Sequence, residues 1–382
     1  MRVCIIYDCL YPFTIGGAER WYRNLAERLA LTGHEVTFLT RRQWPRGEDP
    51  AVPGVRVVAV SPRSELYVRG RRRIPPTLAF GLGVLMHLSR HGGRYDVVHT
   101  ASFPYFSLLA AAAARKRSRF RLLVDWFEVW TPEYWREYLG HVGGRIGWRV
   151  QRACLRVPQR AFCFSRLHER RLREQRLSGE LTRLEGLYTG PPAPGEPLPA
   201  RPVAVFAGRH IPEKRVPALV PALARAREQI PDLRGEIYGD GPERAEVLAA
   251  IARHGLQESV VAPGFVERTT LEQAVATALC FVLPSRREGY GLVVIESAAQ
   301  GVPSVVVEGA DNAAVELIED GVNGTVAPSA KADDLAAGIV RLERAGPEVR
   351  RSTLAWFDRN AERLSLESSL QVVIDNYSSA DS

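Results

Sequence analysis

The hydrophobic pattern along the chain alternates between continuous apolar runs and helical spacing. Val3–Tyr7 is a short apolar run, followed by a loop that holds Gly16-Gly17. From Ala18 the apolar positions fall at Trp21, Leu25, Ala26, Leu29 and Ala30, the spacing of an amphipathic helix. Gly33 and His34 stop it, and Val36–Thr40 reads as the next strand. Strand, loop, helix and strand in quick succession predict a parallel α/β unit.

The alternation continues. Val55–Val60, Asp96–His99, Arg121–Asp125 and Ala161–Ser165 read as strands, and Ser107–Ala114, Arg145–Leu155 and Leu167–Arg176 as helices. Thr189–Pro202 then carries six prolines in fourteen residues. Proline cannot continue a helix or a central strand, so this stretch predicts an interdomain linker. Beyond it come strands at Val203–Ala207, Arg234–Tyr238, Val260–Ala262, Cys280–Leu283 and Ser304–Val307. Helices at Pro217–Gln229, Glu243–His254, Leu271–Ala278 and Leu292–Gln300 alternate with them, and Leu364–Tyr377 closes as a helix. The expectation is an α/β protein of two Rossmann-like domains. Residues 1–188 form the first, 189–202 the linker, 203–363 the second, and 364–382 a final helix.

Composition supports this and removes other classes. The chain has 382 residues, 46% of them apolar and 25% charged, enough for two sizeable cores. Its longest nearly apolar stretches, such as Phe103–Ala114, are too short to span a bilayer. No signal peptide pattern opens the sequence. Five cysteines without CxxC spacing argue against a disulfide framework or a zinc knuckle, and fit a cytoplasmic protein. The net charge of +8 hides an asymmetry: residues 1–200 carry 32 basic and 17 acidic side chains, residues 201–382 carry 19 and 26. The first half is suited to an anionic partner, although arginine-rich composition alone gives the same count.

Three constellations carry chemistry. In Pro284–Glu296 a strand ends, a glycine-rich turn bears Glu288, Gly289, Tyr290 and Gly291, and a helix opens near Leu292 with Glu296 in its first turns. Ligands of open parallel sheets sit beyond the C-terminal strand ends, so both carboxylates border one crevice. Carboxylates make poor phosphate ligands and are better suited to hydroxyls. In Phe206–Lys214 another strand ends in a loop bearing Arg209 and Lys214, which together could neutralise a departing diphosphate. Gly16-Gly17-Ala18-Glu19-Arg20 opens a helix after the first strand, a candidate phosphate or sugar cradle or simply a tight turn. The chain lacks GxGxxG after its first strand, GxxxxGK[ST] and Asp-x-Asp, which weighs against a dehydrogenase, a P-loop NTPase and an obvious metal clamp.

These motifs occur in a recognisable order. Gly16–Arg20, Gly33-His34-Glu35-Val36, Gly208-Arg209 with Glu213-Lys214, Tyr238–Pro242, Gly264-Phe265-Val266 and the Glu288/Glu296 pair resemble family 4 glycosyltransferases, retaining enzymes of the GT-B fold. The resemblance covers the whole chain and is tightest from Val203 to Ala327. It implies that the two domains face a cleft and that the final helix returns to the first domain. It implies a nucleotide-diphosphate sugar as donor, with Arg209 and Lys214 on the diphosphate and Glu296 on the ribose. Glu288 and the backbone of Gly289, Tyr290, Gly291 and Leu292 would hold the donor sugar, and Phe265 and Val266 would lie near the base. Gly16 and Gly17 would approach the diphosphate from the first domain. No metal and no other cofactor is implied. The family often has H-x-H at the end of a first-domain strand. Here the run is Asp96-Val-Val-His99-Thr-Ala101, so either His99 serves at the reaction centre or a nearby group such as Asp125 or Glu128 does.

The first half holds two further features. Trp126, Trp130 and Trp135 cluster beside Tyr134 and Tyr138. They could stack on an acceptor or form a packed aromatic cluster. Arg69 and Arg71–Arg73, with Arg115–Arg121, could dock on anionic lipid headgroups or form a solvated basic face. The acceptor could be lipid-linked, a saccharide or a small natural product, and nucleic acid is not expected as a partner. Rival readings are a nucleotide-sugar epimerase or sugar phosphorylase on the same fold, or a basic membrane- or nucleic-acid-binding module.

Overall fold

The continuous apolar runs become central parallel strands, because a strand covered by helices on both faces has no polar side. A computed structural model describes residues 1–45, 47–68 and 71–378. It contains two compact units, residues 1–185 with 367–382, and residues 186–366. Arg69, one of the basic residues named for lipid docking, lies outside the described residues.

In the first unit the elements run as β1 (Arg2–Ile6), α1 (Gly17–Leu31), β2 (Glu35–Arg41), β3 (Val55–Ser61) and a small hairpin, β4 (Tyr67–Val68) with β5 (Arg71–Arg72). Then come α2 (Ile74–His91), β6 (Val97–Ala101), α3 (Tyr105–Arg115), β7 (Arg121–Trp126), α4 (Pro132–Leu155), β8 (Gln159–Cys163), α5 (Arg166–Glu174) and β9 (Gly179–Arg183). The sheet order is β3-β2-β1-β6-β7-β8-β9, all parallel. Helices α2, α3 and α4 share one buried cluster with Cys4, Ile6, Val98, Leu122 and Val124.

The second unit contains β10 (Val203–Ala207), α6 (Leu219–Arg227), β11 (Arg234–Tyr238), α7 (Arg244–Arg253), β12 (Val260–Gly264) and α8 (Arg268–Ala276). It continues with β13 (Cys280–Leu283), β14 (Arg287–Glu288), α9 (Leu292–Ala298), β15 (Ser304–Val307), β16 (Asp311–Asn312), β17 (Gly324–Ala327) and α10 (Ala332–Leu364). Its six-stranded parallel sheet runs β12-β11-β10-β13-β15-β17. The proline-rich stretch holds no helix or strand and lies within this unit, where Pro197 lies against Gly301. Last comes α11 (Leu366–Ser378), which from Glu367 onward belongs to the first unit.

One helix runs longer than the periodicity predicts, and another, α10, lies where no element was predicted. Helix α4 starts at Pro132, not Arg145, and bends at Gly140, whose φ of 75° only glycine adopts readily. Helix α10 bends at Gly346 (φ 62°) before Pro347.

Candidate functional site

In a doubly wound sheet, loops diverge where the strand order reverses, and ligands settle in the opening. In the second unit that reversal lies between β10 and β13. The loop after β10 carries Arg209 and Lys214, and the loop after β13 carries Glu288. The two are joined by an ion pair between Lys214 Nζ and Glu288 and by Arg286 N–H donating to the Glu213 carbonyl at 2.8 Å. The Lys214 and Glu288 side chains are 21% and 10% exposed, so the pair is partly desolvated and geometrically fixed. Arg209 is exposed on the same loop.

Neighbouring loops are stitched into the same rim. His210 N–H donates to the Asp240 carbonyl at 2.8 Å, Glu243 N–H to the His210 carbonyl at 2.9 Å, and Gly239 N–H to the Gly264 carbonyl at 2.8 Å. His210, which belongs to none of the predicted constellations, is fully buried, and burial lowers its pKa so that the ring stays neutral. At the end of β12, Phe265 is 76% exposed while Val266 leans on the core. An exposed phenyl ring at a strand end is a free stacking surface.

Gly291 precedes α9 with φ 102°, and a Cβ there would lie 2.6 Å from the Ala314 Cβ, so the turn requires glycine. Helix α9 starts at Leu292 as expected but stops at Ala298, seven residues in all. Glu296 on that helix is half-buried, as are Gly289 and Tyr290 on the turn before it.

The first unit reverses its strand order between β1 and β6. Gly16 is extended (φ −172°), and a Cβ on Gly17 would meet nothing within 4 Å. Neither the backbone of Gly16 nor crowding at Gly17 demands glycine. Space in front of Gly17 is therefore open to a ligand that approaches the main chain.

His99 and Asp125 take a different position. Both are fully buried. His99 Nε2 lies 3.0 Å from Asp125 Oδ1, and His99 Nδ1 lies 2.7 Å from the Tyr377 hydroxyl on α11. The second oxygen, Asp125 Oδ2, accepts from Trp21 Nε1 on α1 at 2.7 Å. The network ties two sheet strands to α1 and α11. Burial and the Asp125 carboxylate raise the pKa of Tyr22 and Tyr377 well above the usual tyrosine range. Glu128 is half-buried and accepts from Trp130 Nε1 at 2.8 Å.

The aromatic run is mostly interior. Trp126 is fully buried and donates to Gln159 Oε1 at 2.9 Å; Trp135 is 4% exposed and donates to Gln151 Oε1 at 2.9 Å. Their indole N–H groups are satisfied by glutamines, which explains how the rings are tolerated inside. Of the three tryptophans, Trp130 alone has appreciable exposure. Trp126 and Trp135 are therefore members of a packed cluster and not a stacking platform. Arg72 also departs from the solvated basic face. Its side chain is 7% exposed, pairs with the buried Asp8 just after β1, and lies 4.8 Å from the Phe103 ring centre.

Sequence reasoning reached the rim of the second unit because each strand end there carries a local motif. It missed Asp8, Trp21 and Tyr377, since their partners are far away in sequence. An aspartate directly after a strand was the only available signal for Asp8.

Comparison with known proteins covers both units. Residues 195–354 match the family described as "Glycosyl transferases group 1", and residues 16–185 match "Glycosyl transferase 4-like domain". Alpha-D-kanosaminyltransferase from Streptomyces kanamyceticus is 32% identical over 38% of this chain, an alignment that spans only 37% of that relative. Glycogen synthase from Mycobacterium tuberculosis is 26% identical across 80% of this chain and 77% of its own length. Among solved structures, sucrose-phosphate synthase from Thermosynechococcus elongatus superposes with a TM-score of 0.79 at 19% identity, covering 98% of each chain. HepE from Anabaena, solved with UDP and glucose, gives 0.72 at 18% identity over the full length of both chains. At these identities the structural likeness shows the fold.

Proposed function

The chain belongs to the family 4 type of glycosyltransferases with the GT-B fold, and on that premise we propose that it moves a hexose-type sugar from a nucleotide-diphosphate donor to an acceptor hydroxyl, with retention at the anomeric carbon and without a metal. The reading is carried by the Lys214–Glu288 pair, set with Arg209 at the strand-order reversal of the second sheet.

In this reading Arg209 and Lys214 meet the diphosphate and stabilise its charge as the glycosidic bond to phosphate breaks. Lys214 is already held by Glu288, so little reorganisation is needed when the donor arrives. Glu288 and the turn Gly289–Leu292 take the sugar hydroxyls, Glu296 takes the ribose, and exposed Phe265 with Val266 lines the base. The main chain at Gly16 and Gly17, open in front of Gly17, is suited to a close approach by a diphosphate. Chemistry then needs an acceptor hydroxyl placed on the sugar's face from which the diphosphate leaves, its proton passing to a leaving phosphate oxygen. Of the three candidate acid–base groups, Glu128 has exposure in this structure. His99 and Asp125 are read as positioning residues that fix α1 behind the glycine loop. Acceptor identity follows from neither unit's residues; a lipid-linked, saccharide or small-molecule hydroxyl all fit this chemistry.

A thermal-shift panel of UDP-, GDP-, ADP- and dTDP-sugars tests the donor site, because a bound ligand raises apparent stability by mass action. Stabilisation by one nucleotide series, lost in Lys214→Ala, supports the assignment. Equal stabilisation of wild type and Lys214→Ala would overturn it. Unchanged turnover in excess chelator is expected, and the anomeric configuration of the product, read by NMR, decides between retention and inversion.

A further inference from the structure

Helix α2 has an unusual composition for a surface helix. From Ile74 to Met86 it contains no charged residue, and its one hydroxyl, Thr77, is buried and donates to the Ile74 carbonyl at 2.6 Å. Its inner face is fully committed. Phe80, Val84 and Leu88 are buried, a Cβ on Gly81 would strike Phe106 of α3, and one on Gly83 would strike the Val60 carbonyl of β3. The helix therefore cannot roll to hide its other side. That side presents Ile74, Leu78, Leu82 and Met86, spaced every four residues, at 51%, 47%, 57% and 45% exposure. These four side chains form one continuous stripe along about three turns. A helix apolar on both sides is either wholly buried or in contact with lipid or a partner.

Its surroundings select among these. Between residues 66 and 124 the sequence has eleven lysines and arginines and a single acid, Asp96. Residues 138–168, which run from within α4 through β8 into α5, contain no acid at all. Helices α2, α3 and α4 lie side by side on one face of the sheet. On α4 a second apolar pair, Val142 at 74% and Ile146 at 56% exposure, stands among exposed Arg145 and Arg149. Between the C-terminal ends of α3 and α4 an open cleft of about 340 Å³ is lined by Arg115, Lys116 and Arg156. A second copy of this chain docked here would bring a surplus of like charge together, with only Asp96 and, in the first turns of α4, Glu133 and Glu137 to offset it. An anionic phospholipid surface supplies both complements, apolar depth for the stripe and phosphates for the arginines. Among the described residues no helix is long and apolar enough to cross a membrane, so this layer would lie on the surface.

We propose that the α2–α4 layer of the first unit docks on anionic membrane lipid, with the Ile74–Met86 stripe entering the headgroup boundary and the arginines of α4 holding phosphates. This is independent of the donor-site reading.

The test is co-sedimentation of the full chain with vesicles of phosphatidylcholine alone and of phosphatidylcholine mixed with phosphatidylglycerol, at low and high salt. Binding is expected only to the mixed vesicles and should weaken with salt. Leu78→Ser with Leu82→Ser should reduce it about tenfold or more. Arg145→Glu with Arg149→Glu should reduce it several-fold and flatten the salt dependence. All four positions are exposed, so melting curves and nucleotide-induced shifts should match wild type and certify folding. Wild type remaining in the supernatant with both vesicles overturns the proposal, as does equal binding of wild type and the double serine variant. A dimer seen by light scattering and dissolved by the serine substitutions would also overturn it, assigning the stripe to a second copy.

Discussion

The two sheets reverse their strand order in the same way, yet they treat charge at the reversal in opposite ways. In the second unit Arg209 stands in solvent, and Lys214 and Glu288 meet at the rim with some exposure. In the first unit His99 and Asp125 sit on strands beyond the reversal and are sealed by Trp21 and Tyr377. One unit keeps its ionisable groups where a ligand can reach them. The other uses them as internal fasteners. A shared topology thus places polar residues near the reversal, but the element laid over them decides whether they act on ligands or on the fold.

The comparison breaks most completely if α11 is removed. Ending the chain at Leu366 deletes Leu370, Val373 and Tyr377, exposed 3%, 0% and 0%. Burying such side chains contributes about 1.5–3 kcal/mol each, so the first unit should lose about 5 kcal/mol or more. Chemical denaturation would then show the first unit's transition moving to lower denaturant while the second unit's stays. Lys214→Ala should leave folding nearly intact and reduce kcat/KM about 10²–10³-fold, the usual loss when one charge-stabilising donor is removed. Steady-state rates with the donor found by the thermal panel check this.

Gly17→Val probes the first unit's open loop. Because a Cβ there meets nothing, the melting temperature should stay put while donor KM rises by roughly an order of magnitude, about 1.4 kcal/mol of lost binding. Tyr377→Phe sharpens the fastener reading. It leaves buried His99 Nδ1 without its partner and should cost about 1–3 kcal/mol of stability. Rates at low temperature should change far less than they do in Lys214→Ala.

The smallest effect concerns acid. His87 is held near a pKa of about 4 by burial, with His91 and Arg56 nearby. The folded ring is neutral while the unfolded ring protonates near 6.5, so the unfolded state binds more protons between these values. Its stabilising contribution is present above about pH 6.5 and is lost as pH falls toward 4. The ring is partly exposed, which limits the effect to about 1 kcal/mol. Melting temperatures at neutral pH and near pH 4.5 should converge slightly in His87→Gln relative to wild type.

Much of this was legible from local pattern. Strands β10, β11, β13 and β15 match their predicted spans because central parallel strands are continuous apolar runs. The rim of the second unit was legible for the same reason: each strand end carries its own motif. Helix α2 was not legible because a helix apolar on both sides has no amphipathic period, and Pro75-Pro76 with Gly81 and Gly83 look like breakers. Both prolines sit in its first turn, where their missing N–H groups cost nothing. Helix α10 was hidden by Gly346-Pro347 at its bend. The His99–Tyr377 contact spans 278 residues, and no local signal reports such a pairing.

That long reach has a consequence for synthesis. Residues 1–185 leave the ribosome first, but the helix that seals His99 and Asp125 is made only after the whole second unit. The nascent first unit must wait with a polar cluster uncapped and apolar surface for Val373 and Tyr377 uncovered. Contacts of such sequence separation are slow to close. The first unit should therefore fold last although it is translated first, and its waiting state is where chaperones would be needed.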